Sequence, residues 1–309
     1  MLVLKVVAII AHMVDIRATH SNAETDLSRL IDPEPAVTSR MKATGRVMKQ
    51  KGEPSPYFSE SLSRGLAVLR AFDRDAPRLR IGEVAERAGL NRAAARRYLL
   101  TLRDLGYVAS EKDSFMLRPR VLDLGYSYFA AANIGTTIQP LLAELAERTQ
   151  EAATFAVRDE LQVLVVARAA KRLWDLSVGT GSRLPLLQTA LGRALLADLP
   201  EQELNAILTA LNVFRRDRPR LLRSVSQVRR QEYAFVQAEF APKLAAIAVP
   251  IWDRDGRTLA AVNVTSYTST RATLVDIALP ALKETKAQIE AALRSSDTST
   301  LINPRDSEF

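Results

Sequence analysis

The chain has 309 residues, 47% of them apolar and 25% charged, which is enough for about two folded domains with sizeable cores. Its formal net charge of +8 suits a polyanionic partner. It has no cysteine, and its two histidines, His12 and His20, lie near the N-terminus, so thiolate zinc sites, disulfides and histidine-based catalytic sites are excluded from the rest.

Residues 1–58 are rich in polar residues and proline. This composition predicts a disordered N-terminal extension. The apolar start, Met1 to Ala11, has no preceding basic region and is too short to span a membrane. We therefore expect neither export nor a membrane partner, but a cytoplasmic protein. The start codon stays open, because a start at Met41 or Met48 would leave a basic arm before the first domain.

Residues 59–118 have the pattern of a winged helix-turn-helix domain. A first helix is predicted over Ser61–Phe72, with Leu62, Leu66, Leu69 and either Ala71 or Phe72 facing inward. A shorter amphipathic helix, Ile81–Ala88, is stopped by Gly89 and followed by a basic helix. A hairpin around a charged turn comes next. This arrangement places one helix in the major groove of DNA.

The basic helix carries the candidate DNA-binding residues. Between Glu60 and Arg118 there are twelve Lys or Arg and eight Asp or Glu, a net charge of +4. Asn91 is a good N-cap, Arg92 is placed to contact a guanine edge, and small residues at 93 and 94 let the helix approach thymine methyls. The predicted contacts are Asn91, Arg92, Ala93, Ala94, Arg96, Arg97 and Arg103, the last three to phosphates. The alternative is a solvated charged helix surface.

Residues 119–134 predict a linker helix, with Pro119 in its first turn. Its apolar and aromatic side chains exceed what a solvated linker needs, so we expect it to pack against a second copy of the chain.

Residues 135–294 predict an α+β domain, and the polar tail 295–309 predicts disorder. Helices are expected over Ile138–Thr149, Thr189–Asp198, Glu201–Leu211, Ser224–Phe240 and Thr273–Leu293, the last interrupted by Pro280. Strands are expected over Ala153–Val157, Leu161–Ala167, Leu173–Val178, Leu244–Ile251 and Leu259–Thr265. This order favours a sheet with helices on one side and one end free to bind a small molecule.

Several segments resemble IclR-type bacterial transcriptional regulators. They are Ser61–Leu69, Ile81–Ala85, Leu102–Val108, Leu117–Leu122, Val178–Pro185, Ala190–Leu196 and Ile247–Ile251. The run Ala95–Leu102 is similar to the Pca and Pob regulators, the branch that controls aromatic-acid catabolism through the β-ketoadipate pathway. The resemblance implies a GAF-like effector-binding domain, a homodimer or homotetramer, a double-stranded DNA operator and a small organic acid as effector. It implies neither cofactor nor enzymatic activity.

The resemblance also implies an effector pocket. Its expected residues are Gly179, Leu187, Gln188, Thr189, Ala246, Asn263 and Thr265. Asn263 and Thr265 alternate along an apolar strand and so point to one face, where a ligand or the neighbouring backbone would be their hydrogen-bond partner. Arg168, Arg172 and Arg193 are candidate partners for a carboxylate.

The sequence departs from the family pattern at two places in the pocket. No histidine stands near Leu187, and the run Pro242–Ala246 replaces a Glu-Gly-Leu-Arg-Ser-like run. An alternative is therefore a regulator with a degenerate pocket that binds DNA without an effector. A catalytic use of the second domain is the other alternative, and the lack of His and Cys there disfavours it.

Overall fold

The computed structural model describes residues 56–171, 178–296 and Ile302. Several predictions fall outside these residues: most of the N-terminal extension with Met41 and Met48, the role of Arg172, the strand Leu173–Val178 apart from its last residue, and most of the tail. None of the described helices is long and apolar enough to cross a membrane.

The first domain is a winged helix-turn-helix. It consists of α1 (Glu60–Arg70), β1 (Arg78–Arg80), α2 (Ile81–Ala88), α3 (Arg92–Asp104), β2 (Val108–Glu111) and β3 (Ser114–Leu117). The three strands form an antiparallel sheet in the order β1-β3-β2. Val68, Val84 and Leu99 from the three helices join Leu79 and Phe115 of the sheet in one buried cluster. The predicted helices are thus confirmed, and β1 is an addition to the predicted hairpin.

The predicted inward face of α1 is confirmed at the C-terminal end of the helix and wrong at its start. Ala71 and Phe72 are buried and Leu69 packs against the same cluster, whereas Leu62 and Leu66 are exposed. The helix packs through its C-terminal end, so the first two leucines of the stripe extend beyond the domain core. Periodicity therefore identified a real apolar stripe, and its first two leucines face solvent in the single chain.

The linker begins with a 3₁₀ turn over Pro119–Leu122, with the proline in its first turn as predicted, and continues as α4 (Asp123–Ala131). Leu122 and Tyr126 are exposed by 73% and 71%. A π-type turn over Ile134–Ile138 leads into the next domain.

The second domain is an antiparallel six-stranded sheet covered by helices. Its elements are α5 (Gln139–Thr149), β4 (Ala152–Asp159), β5 (Gln162–Ala169), β6 (Arg183–Pro185), α6 (Ala190–Leu195), α7 (Glu201–Ala210), α8 (Arg218–Gln231), β7 (Ala234–Gln237), β8 (Ala245–Trp252), β9 (Thr258–Ser266), α9 (Arg271–Thr273) and α10 (Leu279–Ser296). The strand order is β6-β5-β4-β9-β8-β7. The mixed α+β class is confirmed.

Helices cover both faces of this sheet, so the prediction of helices on one side is wrong. Alternate strand residues enter two separate apolar clusters. Phe155 and Ile247 pack with α5 and α10 in one, and Ala156 and Ala248 pack with α6, α7 and α8 in the other. The strands read as nearly continuous apolar runs because both of their faces are buried. We call the face of Ala156 and Ala248 the α6 face.

Two further element predictions need correction. The predicted helix Ser224–Phe240 ends at Gln231, and Glu232 follows with a φ of 63°. Ala234–Gln237 is instead the edge strand β7, paired with β8. In the last helical region, a π-type turn over Leu274–Ala278 precedes α10, whose first turn accommodates Pro280.

The tail prediction differs from the structure at one residue. Ile302, within the expected disordered tail, is 1% exposed, and its carbonyl accepts a hydrogen bond of 2.9 Å from the Tyr128 hydroxyl. Burial raises the pKa of this Tyr128 hydroxyl above its ordinary value.

Candidate nucleic-acid interface and ligand pocket

The turn between α2 and α3 fixes how the basic helix starts. Gly89 ends α2 in the left-handed region at φ 67°, a conformation that glycine adopts without steric cost. Asn91 then caps α3, its side-chain oxygen accepting from the Ala94 N–H at 2.8 Å. The first turn of α3 therefore begins at a well-defined point, and Ala93 is exposed there.

The structure brings the predicted basic residues to the outer surface of α3. Arg92, Arg96 and Arg97 are exposed and form no ion pair within the described parts of the chain. Arg97 lies over the Tyr98 ring, 5.4 Å from its centroid. The Arg92 guanidinium lies beside Gly82, where a β-carbon would be 3.5 Å from it.

Arg103 differs from the other three. It forms an ion pair with Asp104 at 3.0 Å. A phosphate contact from Arg103 would thus compete with a neighbouring carboxylate. Since the pair is solvent-exposed, it is worth less than about 1 kcal/mol and does not hold Arg103 firmly.

Other arginines of the domain serve its own structure. Arg87 donates to the Ala71 carbonyl and the Asp73 carboxylate, at 2.9 and 2.8 Å. Partial burial alone would raise the pKa of Asp73, but the hydrogen bonds from Arg87 and the Ala76 N–H outweigh it and lower that pKa. Of the basic residues near the wing, Lys112 occupies the turn between β2 and β3, exposed and with a φ of 53°. Sequence reasoning noted this charged turn without naming Lys112.

The pocket residues predicted on the sheet lie on its α6 face. Cross-strand pairs place Ala248, Asn263, Thr154 and Arg168 side by side on β8, β9, β4 and β5. The Arg168 guanidinium donates to the Thr154 hydroxyl at 2.8 Å. The row therefore joins an amide, a hydroxyl and a guanidinium across three strands.

Asn263 stands out in this row because its hydrogen bonding is incomplete. Asn263 is 4% exposed, and its Oδ1 has no hydrogen-bond partner among the described residues. A buried acceptor without a donor costs about 1–3 kcal/mol. Thr265, one pair further along the same face, lies 3.5 Å from the Ala152 carbonyl, a long and weak contact.

Small side chains surround Asn263 on the α6 face. Ala246 pairs with Thr265, Ala248 pairs with Asn263, and Ala261 lies two residues before Asn263 on the same strand. Each of them belongs to the apolar cluster beneath α6. The side chains around the polar row are thus short and apolar, as expected of a ligand pocket.

The remaining predicted pocket residues lie in the segment 179–189, where several of them stabilise turns, the start of α6 or the apolar cluster. Thr189 caps α6: its hydroxyl accepts from the Gly192 N–H at 3.1 Å and donates to the Pro185 carbonyl at 2.8 Å. Leu187 is buried in the apolar cluster, whereas Gln188 is exposed. Gly179 forms a turn with Ser182, its N–H donating to the Ser182 hydroxyl at 2.9 Å. The Thr189 hydroxyl is thus bonded within the chain, and the place of Thr189 beside a ligand stays a prediction.

Arg193 is wrong as a candidate for a ligand carboxylate. It is 6% exposed, donates to the Leu187 carbonyl at 3.1 Å and pairs with the Glu239 carboxylate. Glu239 is 46 residues away, so no local pattern indicated this pairing. Thr154 was not predicted as a pocket residue. A single threonine in an apolar strand does not indicate a binding site until its cross-strand neighbours are known.

Two family models match the chain. A helix-turn-helix model of IclR proteins matches residues 61–112, and the model described as bacterial transcriptional regulator IclR C-terminal matches residues 126–291.

Named relatives and a solved structure agree with these models. The Pca regulon regulatory protein of Pseudomonas putida is 35% identical over 84% of this chain and 94% of its own length. The p-hydroxybenzoate hydroxylase transcriptional activator of Acinetobacter baylyi is 34% identical over 75% of this chain and 91% of its own. A crystal structure of a Rhodococcus sp. RHA1 protein, 36% identical, superposes with a TM-score of 0.67 over 77% of this chain and 99% of that one.

Proposed function

The chain belongs to the IclR family of bacterial transcriptional regulators and is a DNA-binding regulator rather than an enzyme; from this premise, we propose that a small organic acid controls its activity on an operator. The observation that carries the proposal is the buried, unpartnered Oδ1 of Asn263 beside the Thr154–Arg168 pair. As a DNA-bound regulator, the protein would act in the cytoplasm.

The chemistry of the polar row favours a hydroxy acid from aromatic catabolism. The Arg168 guanidinium offers a fork for a carboxylate, and Asn263 Oδ1 accepts a hydrogen bond from a ligand hydroxyl. Alanines on the same face would contact the apolar body of the ligand. Relatives named for the Pca regulon and for p-hydroxybenzoate hydroxylase support an aromatic-acid pathway.

Replacing Asn263 by leucine tests the pocket. We expect the unliganded protein to become more stable, by about 1–2 kcal/mol, because a buried acceptor without a donor is removed. Binding of hydroxylated aromatic acids should weaken at the same time. Chemical denaturation of the unliganded protein measures the first effect. A clear loss of stability would contradict the proposal, since it would mean that the amide is bonded within the folded protein.

The DNA-binding role is proposed for the exposed face of α3. Arg96 and Arg97 would contact phosphates, while Arg92, Ala93 and Ala94 at the first turn would approach base edges next to Asn91. Two observations support this role. Arg92, Arg96 and Arg97 have no carboxylate partner among the described residues, and Asn91 caps the start of the helix that carries them. Arg103 would add a phosphate contact after leaving Asp104.

Replacing Arg96 by alanine should weaken binding to every DNA sequence by about tenfold for each bound protomer, because a charged hydrogen bond to phosphate is worth about 1.5 kcal/mol or more. The slope of log K against log salt should fall by about 0.9 for each bound protomer. Fluorescence anisotropy with specific and unrelated duplexes measures both, with Arg70→Ala on exposed α1 as the control variant. A loss confined to the specific sequence would contradict a phosphate contact.

Exposed leucines and a tyrosine support self-association. Four large apolar or aromatic side chains are solvent-exposed in the single chain: Leu62 and Leu66 of α1, and Leu122 and Tyr126 of the linker. We propose that a second copy covers them in a dimer or tetramer. Two recognition helices would then bind half-sites about one helical turn apart.

A regulator without an effector is the second candidate. It is favoured by the Thr189 hydroxyl and the Arg193 guanidinium, which are both occupied within the chain. Thermal denaturation with aromatic hydroxy acids and dicarboxylic acids separates the two candidates. An effector at 100 times its Kd adds about 2.7 kcal/mol to the free energy of unfolding. Stability unchanged by all the acids would favour the second candidate.

A further inference from the structure

A second basic surface lies on the domain that would hold the effector. Residues 212–231 contain seven arginines and one aspartate, a net charge of +6, and there is no lysine between residues 201 and 242. This density exceeds that of α3 and its turn. The segment covers the end of the loop after α7 and the whole of α8.

Two of these arginines are used inside the fold. Arg229 donates to the Ala197 carbonyl at 2.8 Å, and Arg218 donates to the Val213 carbonyl at 3.2 Å. The other five are exposed and make up what we call the α8 arginine surface: Arg215, Arg216, Arg220, Arg223 and Arg230.

The α8 arginine surface has little internal neutralisation. Arg220 is 3.3 Å from Glu239 but 74% exposed, and Arg216 is 3.8 Å from Asp217. Arg215, Arg223 and Arg230 form no ion pair among the described residues. The folded chain therefore leaves most of this charge unbalanced.

The helix geometry arranges these cations in a row. Val225 and Val228 face the core, and Arg220, Arg223 and Arg230 lie on the opposite side at about 100° per residue. From residue 220 to 230 the row is about 15 Å long. Duplex DNA carries one phosphate per about 1.7 Å of axis, so a duplex lying along the row would meet several phosphates.

We propose that the α8 arginine surface binds the phosphate backbone of duplex DNA flanking the operator; this inference rests on the proposed DNA binding through α3. Arginine rather than lysine at every cationic position suits phosphate, which the guanidinium binds through two parallel hydrogen bonds. A second copy of the chain does not fit as the partner, because a two-fold contact would set these arginines against each other. DNA bound through α3, as proposed above, is a polyanion that would already be next to the protein.

The test uses two duplexes and the full-length protein. The operator is one selected by the protein from random-sequence DNA. A short duplex of about 20–25 base pairs just covers two half-sites, and a long duplex extends it by several helical turns on each side. The variant is Arg223→Gln with Arg230→Gln, which removes the charges while keeping a polar side chain of similar helix propensity. The matched control is Arg257→Gln with Arg294→Gln, which removes two exposed charges elsewhere in the same domain.

The salt dependence of binding gives the readout. With the long duplex, the slope of log K against log salt should be smaller for the variant by about 1.8 for each bound protomer, at 0.9 for each phosphate contact. With the short duplex, the variant should match the wild-type protein. The control should match the wild type on both duplexes, and equal melting temperatures would verify folding.

Two results would overturn the proposal in distinguishable ways. An unchanged slope on the long duplex, with normal binding of the short one, would exclude DNA as the partner and leave an acidic protein surface. Failure of the wild-type protein to bind the short duplex selectively would contradict the proposed function itself, and this inference with it.

Discussion

Replacing Gly192 by alanine is expected to destabilise the second domain by about 3 kcal/mol or more. A β-carbon at this position would lie 1.8 Å from the Leu186 carbonyl oxygen and 2.5 Å from its carbon. Both are backbone atoms of the segment before α6, so no side-chain rotation relieves the clash, and overpacking of this kind costs about 1–3 kcal/mol or more. Urea denaturation of the purified protein measures the change.

Gly65 provides the control for this substitution. It also lies in a helix, α1, but a β-carbon there meets nothing within 4 Å. Gly65→Ala should therefore stabilise the first domain by up to about 1 kcal/mol, the difference in helix propensity. If Gly192→Ala behaved like Gly65→Ala, the close packing of α6 on Leu186 would be wrong.

Replacing Arg168 by methionine should weaken effector binding between about tenfold and 150-fold, because a charged hydrogen bond worth about 1.5–3 kcal/mol is lost. The Arg168 guanidinium bonds to Thr154 of β4, the strand between Arg168 on β5 and Asn263 on β9, where a carboxylate would meet it. Isothermal titration with the acid that gives the largest thermal stabilisation measures the Kd.

Arg183→Met is the matched control for Arg168. Arg183 belongs to the neighbouring strand β6 and pairs with Leu164, whose side chain packs in the cluster on the opposite face of the sheet. Its ion pair with Asp159 is partly exposed, so its removal should cost little. Equal Kd values for the Arg168 and Arg183 variants would show that Arg168 does not bind the carboxylate.

Local patterns predicted the DNA-binding domain well. The Asn91 cap and the Gly89 turn depend on residues within one or two turns of each other, and both occur as expected. How far an apolar stripe is covered could not be predicted in the same way, because the extent of contact depends on tertiary packing. Leu62 and Leu66 of α1 and Leu105 after α3 belong to predicted apolar faces but are exposed.

The proposed ligand pocket was harder to predict because its parts come from distant strands. Asn263 and Thr265 were identified from alternation on one strand, but their neighbours Thr154 and Arg168 follow from cross-strand register. The edge strand Ala234–Gln237 was hidden in a helical pattern, since four residues are too few to show a period. Gly192 lies within the segment Ala190–Leu196 that resembles the family, but no local pattern singles it out; its close contact with Leu186 is seen only in the structure.

The most direct test of the regulatory role is binding of the purified protein to the intergenic DNA upstream of its own gene, with unrelated DNA as competitor, at two salt concentrations. We expect selective binding that weakens as salt rises, because arginines of α3 replace counterions on the phosphates. No binding even at low salt would contradict DNA binding through α3.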